Sequence, residues 1–300
     1  LETMASGRSA DNSGAVRNSV GGVARNIAAN LAKLDVPAIL LSAVGDDVMG
    51  KRVLKRTRDF GVNCRHVLRA AGETTGCHVV LQQPNGDLDV AVSDFSVMRH
   101  INPDYLFRHR RLFAGARLLV IDANLSDEAL EAVFELATRY GVQVCADPTS
   151  PYLAPRLCPY LDRLYLATPN AAETSALCGL EHRAYDRETA IDVARRLVAL
   201  GVEIAVVTLG EAGLAYANGN GSGYIGAIRT SIVDSTGAGD AFTAAMIFGL
   251  LNEVPVDEAM RLGITAASLT LQTTETVLPE LSQELLYARL IAVAVFQLLP

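Results

Sequence analysis

Ser231 to Leu251 reads SIVDSTGAGDAFTAAMIFGLL, and the reading of this stretch decides the fold. Apolar residues give way to a glycine turn, Thr236-Gly237-Ala238-Gly239, and then to Ala241, Phe242, Ala244, Ala245, Met246 and Ile247. A helix that is apolar on every side is a buried helix. The small residues at its start leave backbone amides unblocked, which makes a pocket for phosphate or for developing negative charge. One carboxylate, Asp240, sits in the first turn, where the positive end of the helix dipole is expected to keep it ionised. An acid in that position can also serve only to complement the dipole. Three small residues and a buried helix beside it favour a functional role.

Working outward, short β-branched runs alternate with segments of helical period. The expected strands are Ala38 to Val44, Arg117 to Ala123, Val142 to Asp147, Leu164 to Asn170 and Ile204 to Gly210. They are nearly continuous apolar runs, as strands covered on both faces require. Between them lie amphipathic helices at Asp127 to Gly141 and Asp186 to Gly201, each stopped by a glycine. The alternation predicts a doubly wound α/β fold: a mostly parallel sheet flanked by helices, in one domain spanning residues 1–300. One segment breaks the rhythm. Gly76 to Phe95 alternates with period two around Pro84-Asn85-Gly86-Asp87, the pattern of a hairpin. Such a hairpin has a free face and edge, so it is expected either to cover the active-site crevice as a small β lid or to pair with another subunit.

Three further motifs fall where an open α/β sheet binds ligands, at helix starts and the carboxyl ends of strands. In GGVARNIAANLAKL (Gly21 to Leu34), Val23, Ile27, Leu31 and Leu34 share one face, with Arg25, Asn26, Asn30 and Lys33 turned away from it. Its glycine pair permits close backbone approach, and Asn26 offers a donor and an acceptor to a polyol. In TPNAAE (Thr168 to Glu173), Asn170 and Glu173 stand three apart at a helix start. That spacing suits a hydrated magnesium ion and equally a capping box. TLGEAG (Thr208 to Gly213) ends a strand. Two other stretches mislead. GDDVMGKR (Gly45 to Arg52) has Arg52 where a phosphate-binding loop needs Ser or Thr, and reads as a loop and helix start. GNGSGYIG (Gly219 to Gly226) leads into strand-like residues rather than a helix, and reads as a turn.

With 50% hydrophobic and 20% charged residues the chain is a globular protein, and a net charge of −7 advertises no face for nucleic acid or anionic lipid. Five cysteines without a C-x-x-C pair and five histidines without ligand spacing argue against a disulfide framework or a zinc site, and point to reduced thiols in the cytoplasm. The apolar tail Leu290 to Pro300 is too short to span a bilayer of ~30 Å and reads as a packed terminal helix.

Together these residues resemble the ribokinase-like (PfkB) family of carbohydrate and nucleoside kinases. DSTGAGDAFTA is similar to its C-terminal signature and GGVARNIAANLAKL to its N-terminal one, with VGDDVMG, TPNAAE and TLGEAG in the expected order between. The resemblance implies ATP with magnesium, and potassium as the monovalent cation. It implies Asp240 as the base toward the acceptor hydroxyl, the amides of Gly237, Ala238 and Gly239 around the transferring phosphoryl group, and Gly21, Gly22 and Asn26 on the sugar. Asn170, Thr208 and Gly210 would meet ATP, Glu173 would hold magnesium through water, and Asp234 the monovalent cation. Within the family, Val-Ala-Arg-Asn, LLSAVGDDVMG, LQQPNGDLDVAVSDF and DANLS most resemble kinases of pseudouridine, which implies transfer to the ribose 5′-hydroxyl. A ribokinase-type sugar kinase and a catalytically silent ligand-binding relative are the alternatives, and a homodimer joined by the lids is compatible with each. The family opens with a strand bearing a sugar-binding acid; nothing before Gly21 matches it, so that strand is expected to lie ahead of Leu1.

Overall fold

The computed structural model describes residues 16–82, 88–181 and 184–298. Its elements begin with α1 (Val23–Lys33), β1 (Ala43–Gly45), α2 (Val48–Asp59) and β2 (Leu68–Ala70). The pair β3 (Cys77–Gln82) and β4 (Leu88–Asp94) follows, then the short helices α3 (Pro103–Arg108) and α4 (Arg110–Ala114). Next come β5 (Leu118–Asp122), α5 (Asp127–Tyr140), β6 (Gln143–Asp147), β7 (Leu164–Ala167), α6 (Ala171–Cys178), α7 (Arg187–Ala199) and β8 (Ile204–Thr208). The chain closes with β9 (Leu214–Asn218), β10 (Gly221–Ile225), α8 (Ala238–Leu251), α9 (Val256–Thr270) and α10 (Gln283–Leu298).

The six-stranded central sheet has the order β10-β9-β8-β7-β6-β5. From β5 to β8 its strands are parallel, and β9 and β10 are added antiparallel. Alternate residues enter different cores. Val144, Ala146, Ala167, Ala205 and Val207 pack with α5 and α7, whereas Cys145, Leu166, Ile204 and Val206 pack with α1, α8 and α9. This two-sided burial is why the strands lack polar alternation. The doubly wound α/β architecture is therefore present, with α8 as an inner helix: its residues from Asp240 to Gly249 are all buried.

Local signals place the helix ends. Ser126 caps α5 by accepting from the Ala129 amide, and Gly141 ends it in the left-handed region at φ 64°. Asp186 likewise caps α7, but that helix closes on Leu200 in the right-handed region and Gly201 follows one residue later. Gly201 lies at φ 112°, and a Cβ there would stand 2.4 Å from the Cα of Asp162. The glycine thus permits two chain segments to cross closely; it does not cap.

One expected strand is revised. Ala38 to Val44 does not join the central sheet: it makes an isolated bridge from Ile39 to Asn63 and then β1, which pairs only with β2. The partner chain turns between, where the Val67 amide donates to the Cys64 carbonyl, and this interrupts the ladder. The hairpin is present as an isolated antiparallel pair of β3 and β4; its tip, Pro84 to Asp87, lies outside the described residues. GDDVMGKR is a helix start capped by Asp47, and GNGSGYIG turns into β10. The terminal apolar segment forms part of α10, and among the described residues no helix is long and apolar enough to cross a membrane.

The root of the hairpin is fastened to the body. Asp47 accepts from the Gly50 amide at 2.6 Å, the Thr75 amide at 2.8 Å and the Thr75 hydroxyl at 2.6 Å. These donors, the Thr75 hydroxyl first, hold the Asp47 carboxyl below the usual carboxylate range.

Gly201→Ala combines a left-handed φ with a backbone collision. The expected cost is about 1–3 kcal/mol, read as a lower denaturant midpoint at unchanged m-value.

Candidate functional site

The open N-terminal end of α8 depends on one residue. Gly237 is the N-cap, at φ 85°, and no side chain caps the helix. A Cβ on Gly237 would stand 2.1 Å from the Thr276 carbonyl oxygen, so only glycine brings the turn against that carbonyl. A Cβ on Gly239, by contrast, would meet nothing within 4 Å, which leaves the approach to the helix end open. The Ala238 amide is turned to the Ser235 carbonyl at 3.3 Å, and the Ala241 amide makes the first helical bond, to Gly237, at 2.9 Å.

Behind this opening, Asn26 meets Asp240. Asn26 Nδ2 donates to Asp240 Oδ2 at 2.7 Å, joining α1 to α8 across most of the chain. Gly22 is the N-cap of α1 at φ 110°, and its carbonyl accepts the Asn26 amide at 2.7 Å. Arg25, Asn26 and Asn30 are turned from the apolar stripe of α1, as expected, yet they are buried rather than solvated, at 6%, 3% and 0% exposure. Buried polar groups must be hydrogen-bonded. Asn26 meets that need through Asp240, and Arg25 donates to Asn26 Oδ1 at 2.8 Å.

The electrostatics differ from the expectation that the helix dipole alone keeps Asp240 ionised. Burial, with the nearby charges of Asp122 and Glu173, pushes its carboxyl up to about 7, against the opposing effects of the Asn26 hydrogen bond and the Arg25 charge. A dipole of half a charge does not offset dehydration and two like charges. Asp147, at the end of β6, is raised well above the usual range by burial first and then by Asp240 and Glu173. The parallel register sets Asp122 beside Asp147 at the carboxyl ends of β5 and β6. Asp122 Oδ2 accepts the Ala24 amide at 3.2 Å, so this acid also faces the start of α1.

Asn170 and Glu173 form the capping box. Asn170 Oδ1 accepts the Glu173 amide and Glu173 Oε2 accepts the Asn170 amide, both at 2.9 Å. Glu173 is buried, and burial raises its carboxyl despite these bonds. The cap engages Oε2 of Glu173. An isolated parallel bridge joins Asn170 to Thr208, so the ends of β7 and β8 stay together. A buried Thr168–Thr243 hydroxyl pair at 2.9 Å ties β7 to α8.

Among the described residues, Gly210 and Asp234 make no hydrogen bond to this cluster. The Gly210 carbonyl accepts the Gly213 amide at 3.1 Å, and Asp234 Oδ1 accepts the Thr236 amide at 2.9 Å, in the turn leading to α8. Gly21 has no atom within 4 Å of a Cβ position, so packing does not require it to be glycine. Sequence reasoning assigned no role to Asp122, Asp147, Arg25 or Thr276. An acid closing each of two consecutive apolar strands was the available signal for the first pair. Nothing local marks Thr276, whose hydroxyl donates to the Val20 carbonyl at 2.6 Å.

Comparison with known proteins places the chain among carbohydrate kinases. Residues 3–283 match the family described as pfkB family carbohydrate kinase. The pseudouridine kinase of Escherichia coli (strain K12) is 33% identical over 272 residues, covering 90% of this chain and 86% of that protein. A carbohydrate kinase from Agrobacterium tumefaciens superposes with a TM-score of 0.79 at 26% identity, over 95% of this chain and 90% of that one. Arabidopsis thaliana ribokinase, solved with ribose and ATP, superposes with a TM-score of 0.74 at 24% identity, over 90% and 87% of the two chains.

Gly237→Ala forces the turn away from the Thr276 carbonyl. It is expected to lower stability by about 1–3 kcal/mol. It should also weaken binding of an anion at the α8 terminus, measured by calorimetric titration with ATP.

Proposed function

This chain belongs to the pfkB family of carbohydrate kinases, and we propose that it transfers the terminal phosphoryl group of ATP to the 5′-hydroxyl of pseudouridine. The observation that carries the reading is the buried Asp240, held by Asn26 in the first turn of an uncapped helix. In this reading the ionised Asp240 accepts the proton of the acceptor hydroxyl. The amides of Gly237, Ala238 and Gly239 face the charge that spreads over the phosphoryl oxygens, for which positioning and neutralisation count more than covalent chemistry. Ala238 must release Ser235 to take part. Gly21 and Gly22 present backbone to the ribose, and Asn26 keeps one amide proton for it while the other serves Asp240.

The residues fit ATP with magnesium on two counts: the open terminus of α8, and a Glu173 that spends one oxygen on its cap. Magnesium would supply neutralising charge, held through water by Glu173, with Asn170, Thr208 and Gly210 along the nucleotide. Asp234, fixed against the turn before α8, is proposed for potassium. The hairpin from 76 to 95 is the proposed lid of a single domain. Val79, Leu81, Val90 and Val92 pair across it and are exposed, so a homodimer through this face is part of the proposal. The cytoplasmic location expected from the cysteines fits five free thiols. Pseudouridine rests on the sequence segments that resemble its kinases and on the relative named for that activity. A ribokinase-type sugar kinase is the second reading, supported by relatives named ribokinase.

Coupled ATP turnover decides between the acceptors: pseudouridine is expected to exceed uridine and ribose, and equal rates refute the assignment. The ratio kcat/KM should fall as pH drops below about 7, where Asp240 takes up a proton. Asp240→Asn should lose roughly 10²-fold or more in rate. Folding raises this carboxyl from 3.8 to about 7, so its contribution to stability is complete below the first value and is lost as pH rises through the second. The same variant should therefore melt roughly 2 °C or more above the native chain under mildly alkaline conditions.

A further inference from the structure

We infer that Arg25 is a positioning residue for the Asn26–Asp240 pair, its guanidinium fixing which way the Asn26 amide faces. The inference rests on the reading of Asp240 as the base. A side-chain amide is nearly symmetric in shape but not in chemistry: one end donates and the other accepts. Turned the wrong way, Asn26 would set its oxygen against a carboxylate oxygen. Arg25 Nη1 donates to Asn26 Oδ1 at 2.8 Å, and the Thr276 hydroxyl approaches the same oxygen at 3.3 Å. With Oδ1 claimed by these donors, Nδ2 is the end that reaches Asp240, at 2.7 Å.

The guanidinium is itself anchored. Its Nε donates to Thr57 Oγ1 at 3.0 Å, and Thr57 donates onward to the Val53 carbonyl at 2.7 Å. Nη1 also reaches the Val20 carbonyl at 3.4 Å, the atom that Thr276 binds. Arg25 lies over the Phe60 ring at 5.3 Å, a ring shared with Arg56 at 4.7 Å.

This is an expensive side chain to keep for packing alone. It is 6% exposed, its Nη2 is buried without a partner, and Arg56 repels it. An apolar residue of similar length would fill the volume without burying a charge. What it could not do is hold Oδ1. The groups around the pair come from every neighbouring element: Asp122 from β5, Asp147 from β6 and Glu173 from α6 bear on Asp240. Arg56 from α2, with Cys64 and Glu275, bears on Arg25. Burial and Arg56 bring Arg25 down to about 10, so it stays protonated at neutral pH and its charge opposes the acids beside Asp240.

The test is the pH profile of turnover by Arg25→Met and Arg25→Lys in the full chain. Arg25→Met is expected to lower kcat by roughly tenfold or more, through misorientation of Asn26. It should also move the acid limb upward by roughly half a unit, through loss of the positive charge. Arg25→Lys keeps the charge but not the fork, so its limb should stay with the native enzyme while kcat remains low. A merely structural Arg25 would lower the melting temperature and leave kcat and the limb of the folded fraction unchanged; that result overturns the inference. Should Arg25→Met not fold, Thr57→Val frees the anchor while keeping the side-chain volume and is expected to reduce kcat roughly threefold or more, with native kcat refuting the inference. Failure of the underlying reading looks different: Asp240→Asn would remain active, whatever Arg25 does.

Discussion

A carboxylate removed from water has to be given donors by the protein, and the bond from Asn26 to Asp240 is how this fold does so. The two residues lie near opposite ends of the chain, so the helices that carry them meet only through the tertiary fold. Cys145, Leu166 and Val206 supply the apolar floor on which α1 and α8 pack. Thr168 and Thr243 then fix α8 against β7. Each step is bulk burial followed by one specific polar contact: the first supplies stability and the second decides geometry. The site is also kept at a cost, since burial and the charges of Asp122 and Glu173 disfavour the ionised form that the proposed chemistry uses.

How much of this was legible in the sequence depended on range. Strand runs such as Ile204 to Thr208, the capped α5 and the glycine entry to α8 are local, and their periodicity or end signals sufficed. The hairpin at 77–94 was legible for the same reason, because period two around a proline-glycine turn needs no distant partner. Ala38 to Val44 misled because apolar content marks burial without naming the partner strand; here the partner was the short β2. Gly201 misled differently, since a glycine after a helix marks both a cap and a close crossing, and only the position of Asp162 distinguishes them.

The site divided along the same line. Asn170 and Glu173 were legible as a pair, and the structure realises the capping reading. Asp240 was legible in place but not in protonation, because that depends on Asp122, Asp147 and Glu173, which the sheet register gathers from three elements. Asn26 was legible as a polar contact for a polyol; its burial follows from the packing of α1 on α8. Arg25 and Thr276 carry no local signature. Their importance comes from a shared acceptor, the Val20 carbonyl, that no spacing rule connects.

The fastening of Asp47 to Thr75 has a mechanical consequence. A hairpin that forms its own sheet and is held at its root takes its heading from that root. The anchoring carboxylate loses its grip only in acid, because its proton affinity is depressed, so the anchorage is constant across neutral pH. The heading of β3 and β4 is consequently set at the α2 terminus, where one carboxylate both caps the helix and holds Thr75.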